Sequence, residues 1–250
     1  MKKIIILAAL LMSASLALMA QNKFKGIVKY KVESSGEVAF QVPAEAATAE
    51  IMVSGSDLFT KSAIFMNSPF SECILVNGLT VTQCENYSQL LGYLRGNGSE
   101  FTYQGDGKIL MKHTYTQGDI DSVSIPDTES GHFYLEYVDD ATQEIAGVTA
   151  KKVIRHAFDA EGNDHPVEMW YTDEMGPKYN FLFLGIKGMP LMCKQDIGDG
   201  KAITYTAIQV IKGKVKEADF LLPDGYETLS PEALETLGTE LQEELELLNE

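Results

Sequence analysis

The sequence predicts a mainly β (α+β) fold: one strongly curved antiparallel sheet, a few helices and a C-terminal amphipathic helix. Three observations point there. Strand signals succeed one another from Phe24 onward instead of alternating with long helices. The breaks between them are short and rich in Gly, Asp, Asn and Pro, which suits antiparallel pairs and not parallel crossovers. The last twenty or so residues switch to a long helical spacing of Leu.

The first twenty residues, MKKIIILAALLMSASLALMA, carry a basic start at Lys2 and Lys3 and an unbroken apolar run from Ile4 to Leu11. Ala20 is a small residue at a cleavage point, with Gln21 next. This is the layout of a secretory signal peptide, and the apolar run is too short to span a bilayer. No Cys sits at the cleavage point, which argues against lipid attachment there. The expected address is the periplasm, or the exterior, after cleavage near Ala20.

From Phe24 to Glu33 the chain alternates. Phe24, Val28, Tyr30 and Val32 share one face; Lys25, Lys29, Lys31 and Glu33 share the other. Residues 36–49 are Ala-rich and interrupted by Pro43, so a loop with a short helical turn is expected. Residues 49–54, 58–66, 73–76 and 79–84 are rich in β-branched and aromatic side chains and predict strands. Glu85 to Arg95 spaces Tyr87, Leu90, Leu91 and Leu94 as on an amphipathic helix. Strands follow at 108–115, 132–138, 148–158 and 167–172, and a last one at 201–215. The polar loop Asp159–Pro166 joins two of them as a hairpin turn.

Ser230-Pro231-Glu232 is a helix start, with a capping Ser, Pro at the first position and acid in the first turn. Leu234, Leu237, Leu241, Leu245 and Leu248 then form one apolar stripe. Seven Glu and no Lys or Arg fill the other faces, and acid at the C-terminal end opposes the helix dipole. Such a helix needs a surface to dock on. It is read either as packed on its own domain or as a detachable lid or partner-binding helix.

Composition excludes some functions. With 36 acidic against 20 basic residues, the formal net charge is -16. Nucleic-acid binding needs a basic patch, and anionic headgroups would repel such a chain. No phosphate loop, dinucleotide fingerprint, nucleophile elbow or zinc helix is present. His113, His132, His156 and His165 are scattered without metal-ligand spacing. His132 should point outward, and His156 should be a core or rim residue. The acidic loop Asp159, Glu161, Asn163, Asp164 lacks the spacing of a Ca²⁺ loop. Asp121-Ser122-Val123 has the short acidic-hydroxyl-apolar form used for O-glycosylation in some Gram-negative systems. No catalytic residue, metal ligand or cofactor is expected.

The three cysteines, Cys73, Cys84 and Cys193, form no complete disulfide framework. Cys73 and Cys84 flank a hairpin around Asn77-Gly78. A turn made by Asn77 and Gly78 puts Cys73 opposite Thr82, too far for a bond; a loop from Asn77 to Thr80 puts Cys73 opposite Cys84. Cys193 reads as a small apolar side chain.

Trp170, Tyr171, Met175, Tyr179, Phe181, Phe183, Met189 and Met192 fall among Gly176, Pro177, Gly185, Gly188 and Pro190. So breaker-rich a stretch cannot be one regular element. Its large apolar groups either cover a core or line a lipid-like cavity. Trp170, Phe181, Phe183, Met189 and Met192 are the candidate ligand-binding residues.

Four segments carry a family resemblance: IAGVTAKKVIR at 145–155, VEMWY at 167–171, GIKGMPLMCK at 185–194 and DFLLPDGYE from Asp219. In that order they resemble a family of secreted bacterial proteins of unknown function related to the periplasmic lipoprotein-carrier (LolA/LolB-type) fold. The resemblance implies an open half-barrel over residues 21–228, closed on its concave side by helices and followed by the helix of 229–250. In the lipoprotein carriers that concavity holds acyl chains. The function so implied is non-enzymatic binding of a lipid or lipoprotein in an apolar cavity. The alternative is an envelope structural or assembly protein that binds a protein partner through its surface or C-terminal helix.

Overall fold

The computed structural model describes residues 24–35, 47–66, 68–129, 131–198 and 201–247. The leader at 1–20, residues 36–46 of the Ala-rich loop and Leu248 lie outside them. The strands are β1 (Lys25–Ser35), β2 (Thr48–Ser54), β3 (Asp57–Thr60), β4 (Ser71–Asn77), β5 (Thr80–Asn86), β6 (Lys108–Thr114), β7 (Phe133–Ile145), β8 (Val148–Ala157), β9 (Val167–Thr172), β10 (Met189–Gly198) and β11 (Lys201–Lys212). They make one sheet in the order β6-β5-β4-β3-β2-β1-β11-β10-β9-β8-β7, antiparallel throughout. The edges β6 and β7 do not meet, so the sheet is open. Two meanders therefore flank a central pair, β1 with β11. The helices are α1 (Ser88–Gly96), α2 (Gln117–Ser124) and α3 (Pro231–Leu247).

Alternation along the strands sorts the side chains into layers. Val28, Tyr30, Val32, Ala49, Ile51, Val53, Leu58, Ile74 and Val76 face a main core that continues through Met169, Leu191 and Tyr205. Phe59, Cys73 and Cys84 point the other way, under Phe220, Leu222 and Tyr226 of the segment after β11. That segment, residues 216–227, is a strap across the outer face. Its end joins the β6 edge: the Leu110 amide donates to the Glu227 carbonyl at 2.7 Å, and the Glu227 amide donates to Lys108 at 3.0 Å. This covers an otherwise unpaired edge. The opposite edge, β7, instead carries exposed Glu136, Asp139, Asp140 and Glu144.

A third cluster joins the helices. Leu237 and Leu241 of α3 bury against Leu91 and Leu94 of α1, Phe101 and Ile109. Glu240 accepts from the Thr102 amide at 2.9 Å, and Glu244 from the Ser99 hydroxyl at 2.5 Å. The capping Ser230 accepts from the Ala233 amide at 3.2 Å. The C-terminal helix is thus docked on its own domain.

Several elements differ from the sequence reading. The strand expected at 58–66 stops at Thr60. The Thr60 hydroxyl donates to the Glu50 carbonyl at 2.8 Å and accepts from the Ser62 amide at 3.0 Å. The chain then turns through a 3-10 helix, Ala63–Phe65, which drives Phe65 into the core. Helix α2 and strand β10 have no counterpart among the elements read from periodicity. Helix α2 is short and polar, and its signal is a capping box between Thr116 and Asp119. Asp121-Ser122-Val123 lies on it, with Val123 buried. Strand β10 follows directly on Gly188, has Pro190 at its second position and is bulged between Pro190 and Met192. The β4–β5 turn is Gly78-Leu79, flanked by the pair Asn77–Thr80. Positive φ occurs only at its first position, 58° at Gly78, as in a II′ turn. Asn-Gly had suggested the other register.

Candidate functional site

The concave face is half filled. Two 3-10 turns reach into it: Ala63–Phe65 and Phe181–Phe183. Phe65 and Phe183 meet at 5.4 Å between ring centres. Tyr30 of β1 lies 5.8 Å from Phe65 and 6.4 Å from Phe183, and Tyr205 of β11 stacks on Phe65 at 5.3 Å. The Tyr30 hydroxyl donates to the Pro190 carbonyl at 2.7 Å, which satisfies a group only 1% exposed. Burial pushes the Tyr30 phenol well above its ordinary pKa, so it stays a neutral donor. The middle of the concavity is therefore an aromatic plug.

Beside the plug, over β4, β5 and β6, a half-open hollow of about 330 Å³ remains. Ile74, Val81 and Met111 form its floor, and Phe181 and Leu182 one wall; Leu234 of α3 reaches it from the C-terminal helix. Phe181 is held by a face-to-face stack on Tyr115 at 3.8 Å, and His113 edges onto Tyr115 at 4.5 Å. Gln83, Lys112 and His113 bring polar groups to the same hollow. Under the same turn lies a smaller void of about 60 Å³, lined by Leu182, Phe183, Leu184, Met169, Ile186 and Cys193. Leu182 lines both spaces. Leu184, which follows the turn, has φ 61°, a left-handed conformation rare for a branched residue.

The five candidates from sequence part company. Phe181 lines the larger hollow and Phe183 is in the plug. Met189 is fully buried in the main core. Trp170 and Met192 are cross-strand partners, partly exposed, and alternate with core-facing Met169, Tyr171 and Cys193. Ile74, Val81, Met111, Tyr115, Leu182 and Leu234 line the hollow without having been singled out. Their sequence signal is ordinary strand or helix periodicity, which does not distinguish a packed face from an open one.

The histidines are rim residues. His156 donates or accepts through both ring nitrogens, at 2.7 Å from Asp164 and 2.9 Å from Glu136, and stacks on Tyr134 at 4.7 Å. Burial lowers its pKa, but the hydrogen bonds and charges of Asp164 and Glu136 outweigh that and raise it overall. A raised folded pKa contributes stability that is complete below the ordinary histidine range and is lost as pH rises through the folded value. His156→Gln should therefore destabilise by about 0.5–1 kcal/mol near pH 5.5 and by less at pH 8.5, read by urea unfolding at both. The Asp159 loop is a self-satisfied turn: Asp159 accepts from the amides of Glu161 and Asn163, the Asn163 side chain and His165. These donors hold its carboxyl well below the usual range. Asp127, Glu129 and His132 also sit close together, on a solvent-facing loop.

No protein-family model matches the chain, and no curated protein matches it significantly. Solved structures similar to the chain include three of related shape. A LolA superfamily protein from Nitrosomonas europaea aligns over 80% of this chain and 91% of its own, with 9% identity and a TM-score of 0.30. MucB aligns over 82% of this chain and 58% of its own, so the chain spans under two thirds of that protein, with 12% identity and a TM-score of 0.30. Lipoprotein LppX from Mycobacterium tuberculosis aligns over 80% of this chain and 93% of its own, with 12% identity and a TM-score of 0.24. At these scores the likeness carries no argument about ligand or partner. Among the described residues no helix is long and apolar enough to cross a membrane.

Proposed function

We propose that the concave hollow receives an acyl chain and that the protein is a non-enzymatic periplasmic binding protein for a lipid or acylated partner. The observation that carries this reading is the half-open hollow between Ile74, Val81, Met111, Phe181 and Leu182, which Gln83 and His113 also line with polar groups. Its volume of about 330 Å³ falls at the lower end of small-molecule sites. Burying about six methylenes there would supply about 5 kcal/mol, enough for sub-millimolar affinity. Phe65 and Phe183 of the plug sit on 3-10 turns, while Tyr30 and Tyr205 sit on strands, so movement of the two turns can widen the hollow without breaking the sheet. The left-handed Leu184 beside Phe183 marks a strained joint in one of those turns.

A displacement titration tests this. A fluorescent fatty-acid analogue is bound to delipidated protein and competed with a long-chain fatty acid. Wild type should bind the analogue and release it to the competitor. Phe181→Ala, which removes the wall and its Tyr115 stack, should bind about tenfold more weakly. Absence of saturable binding by wild type ends the proposal. Trp170 is a poor reporter because its side chain does not line the hollow.

A second reading, an envelope protein that binds a protein partner, is favoured by one feature. Phe70, Tyr87, Leu90, Leu241 and Leu245 line an open apolar groove of about 320 Å³ along α1 and α3. Leu234 and Leu237 pack within the domain, so among the described residues this groove is what the helix leaves for a partner.

A further inference from the structure

Cys73 and Cys84 are directly opposed in the β4–β5 ladder. Opposed residues of an antiparallel pair have Cα atoms about 4.5–5.5 Å apart, inside the range a disulfide spans. Both cysteines have no exposed surface, and both point to the outer face, beneath Phe220, Leu222 and Tyr226 of the strap. In the structure they are thiols in contact with each other. Cys193 is buried elsewhere, on β10 opposite Tyr205.

We infer that Cys73 and Cys84 are the site of a cross-strand disulfide, formed during folding after export and then sealed under the strap. The leader at residues 1–20 would deliver the chain to a compartment where such bonds persist. The thiols differ in readiness. Hydrogen bonding from Cys84, aided by Lys61, holds Cys73 below the ordinary thiol range, while Cys84 is pushed well above it. In the balanced exchange, before the strap closes, Cys73 attacks as thiolate. It displaces one thiolate from the disulfide of a thiol oxidase and forms a mixed disulfide. Cys84 then loses its proton, attacks the Cys73 sulfur and expels the second thiolate. The chain gives up two electrons and two protons, and the oxidant's disulfide becomes a dithiol.

The bond has a consequence for the hollow. Ile74, Val81 and Gln83 alternate with Cys73, Thr82 and Cys84 on the same two strands, and they line the opposite face. A one-residue slip of this hairpin would turn those side chains outward. The bond would pin the register that the II′ turn sets. This holds whatever the hollow binds.

The test is a thiol count. Full-length protein is reduced, denatured and refolded in mixed reduced and oxidised glutathione, then unfolded in a maleimide. One adduct per chain, on Cys193, is expected, rising to three after reduction. Peptide mapping should find residues 73 and 84 linked. Three adducts without reduction, or glutathione carried on the chain, overturns the inference. Oxidised wild type should also melt about 5 °C or more above the reduced form. Cys73→Ser should show two adducts and a melting point indifferent to reductant. The wild-type count stands even if that variant folds poorly.

Discussion

Replacing Phe183 with Ala is expected to destabilise the protein by about 3–5 kcal/mol, read as a fall in the urea midpoint. Phe183 is 7% exposed and packs on Phe65, Tyr30 and Tyr205. Removing its ring deletes transfer energy and leaves a void, because the strands behind it cannot follow. The void would adjoin the small space lined by Leu182 and Leu184. The variant should therefore bind the acyl probe at least as tightly as wild type, and ligand should raise its melting point further. A plug that serves only as core predicts the same loss of stability with no gain in binding. An unchanged midpoint would mean that the ring is not in the core at all.

The second large effect is at Gly188. Its φ is 67°, and a Cβ built there would lie 2.0 Å from the Thr172 carbonyl oxygen and 2.9 Å from the Asp173 Cα. Both neighbours are backbone, so no side chain can swing aside. Gly188→Ala adds left-handed strain to that clash. The expected loss is about 3 kcal/mol or more. The effect should also reach the site, because Gly188 anchors the loop that carries Phe181 and Phe183. Its carbonyl accepts from the buried Asn180 side chain at 3.1 Å, and its amide donates to Pro177 at 2.9 Å. Circular dichroism melts and the acyl-probe titration should worsen together. A melt within a degree or so of wild type would refute the backbone clash.

Strand signals were the most legible part of the sequence. The alternation of Val28, Tyr30 and Val32 against Lys29 and Lys31 survives in β1, and the Leu stripe of 234–241 survives in α3. The antiparallel pairing followed from short breaks between strands, and the openness of the sheet from the family resemblance. What stayed hidden had little apolar periodicity to show. Helix α2 is held by a capping box on a polar surface. Strand β10 follows on Gly188 and carries Pro190 at its second position, residues that ordinarily argue against a strand. The site was half legible. Apolar content drew attention to the stretch from Trp170 to Met192, but composition cannot say which face a residue takes. A bulge at Pro190–Met192 and the 3-10 turn at Phe181–Phe183 decide that, and neither follows a period. The Cys73–Cys84 register depended on one choice, whether Gly78 opens or closes its turn.

The strand order has a further consequence for how the chain acquires its shape. The sheet's central seam joins β1, its first strand, to β11, its last. Each meander can zip locally, yet the two halves unite only when residues near 202–212 meet residues 26–35. Pairings of such sequence separation raise contact order and slow folding. The strap and α3, which seal the outer face and the helix cluster, come later still in the chain. A polypeptide threaded through a membrane from its N-terminus would thus find no complete sheet to fold into until nearly all of it had crossed. Late closure of the seam would keep such a chain loose until nearly all of it had emerged.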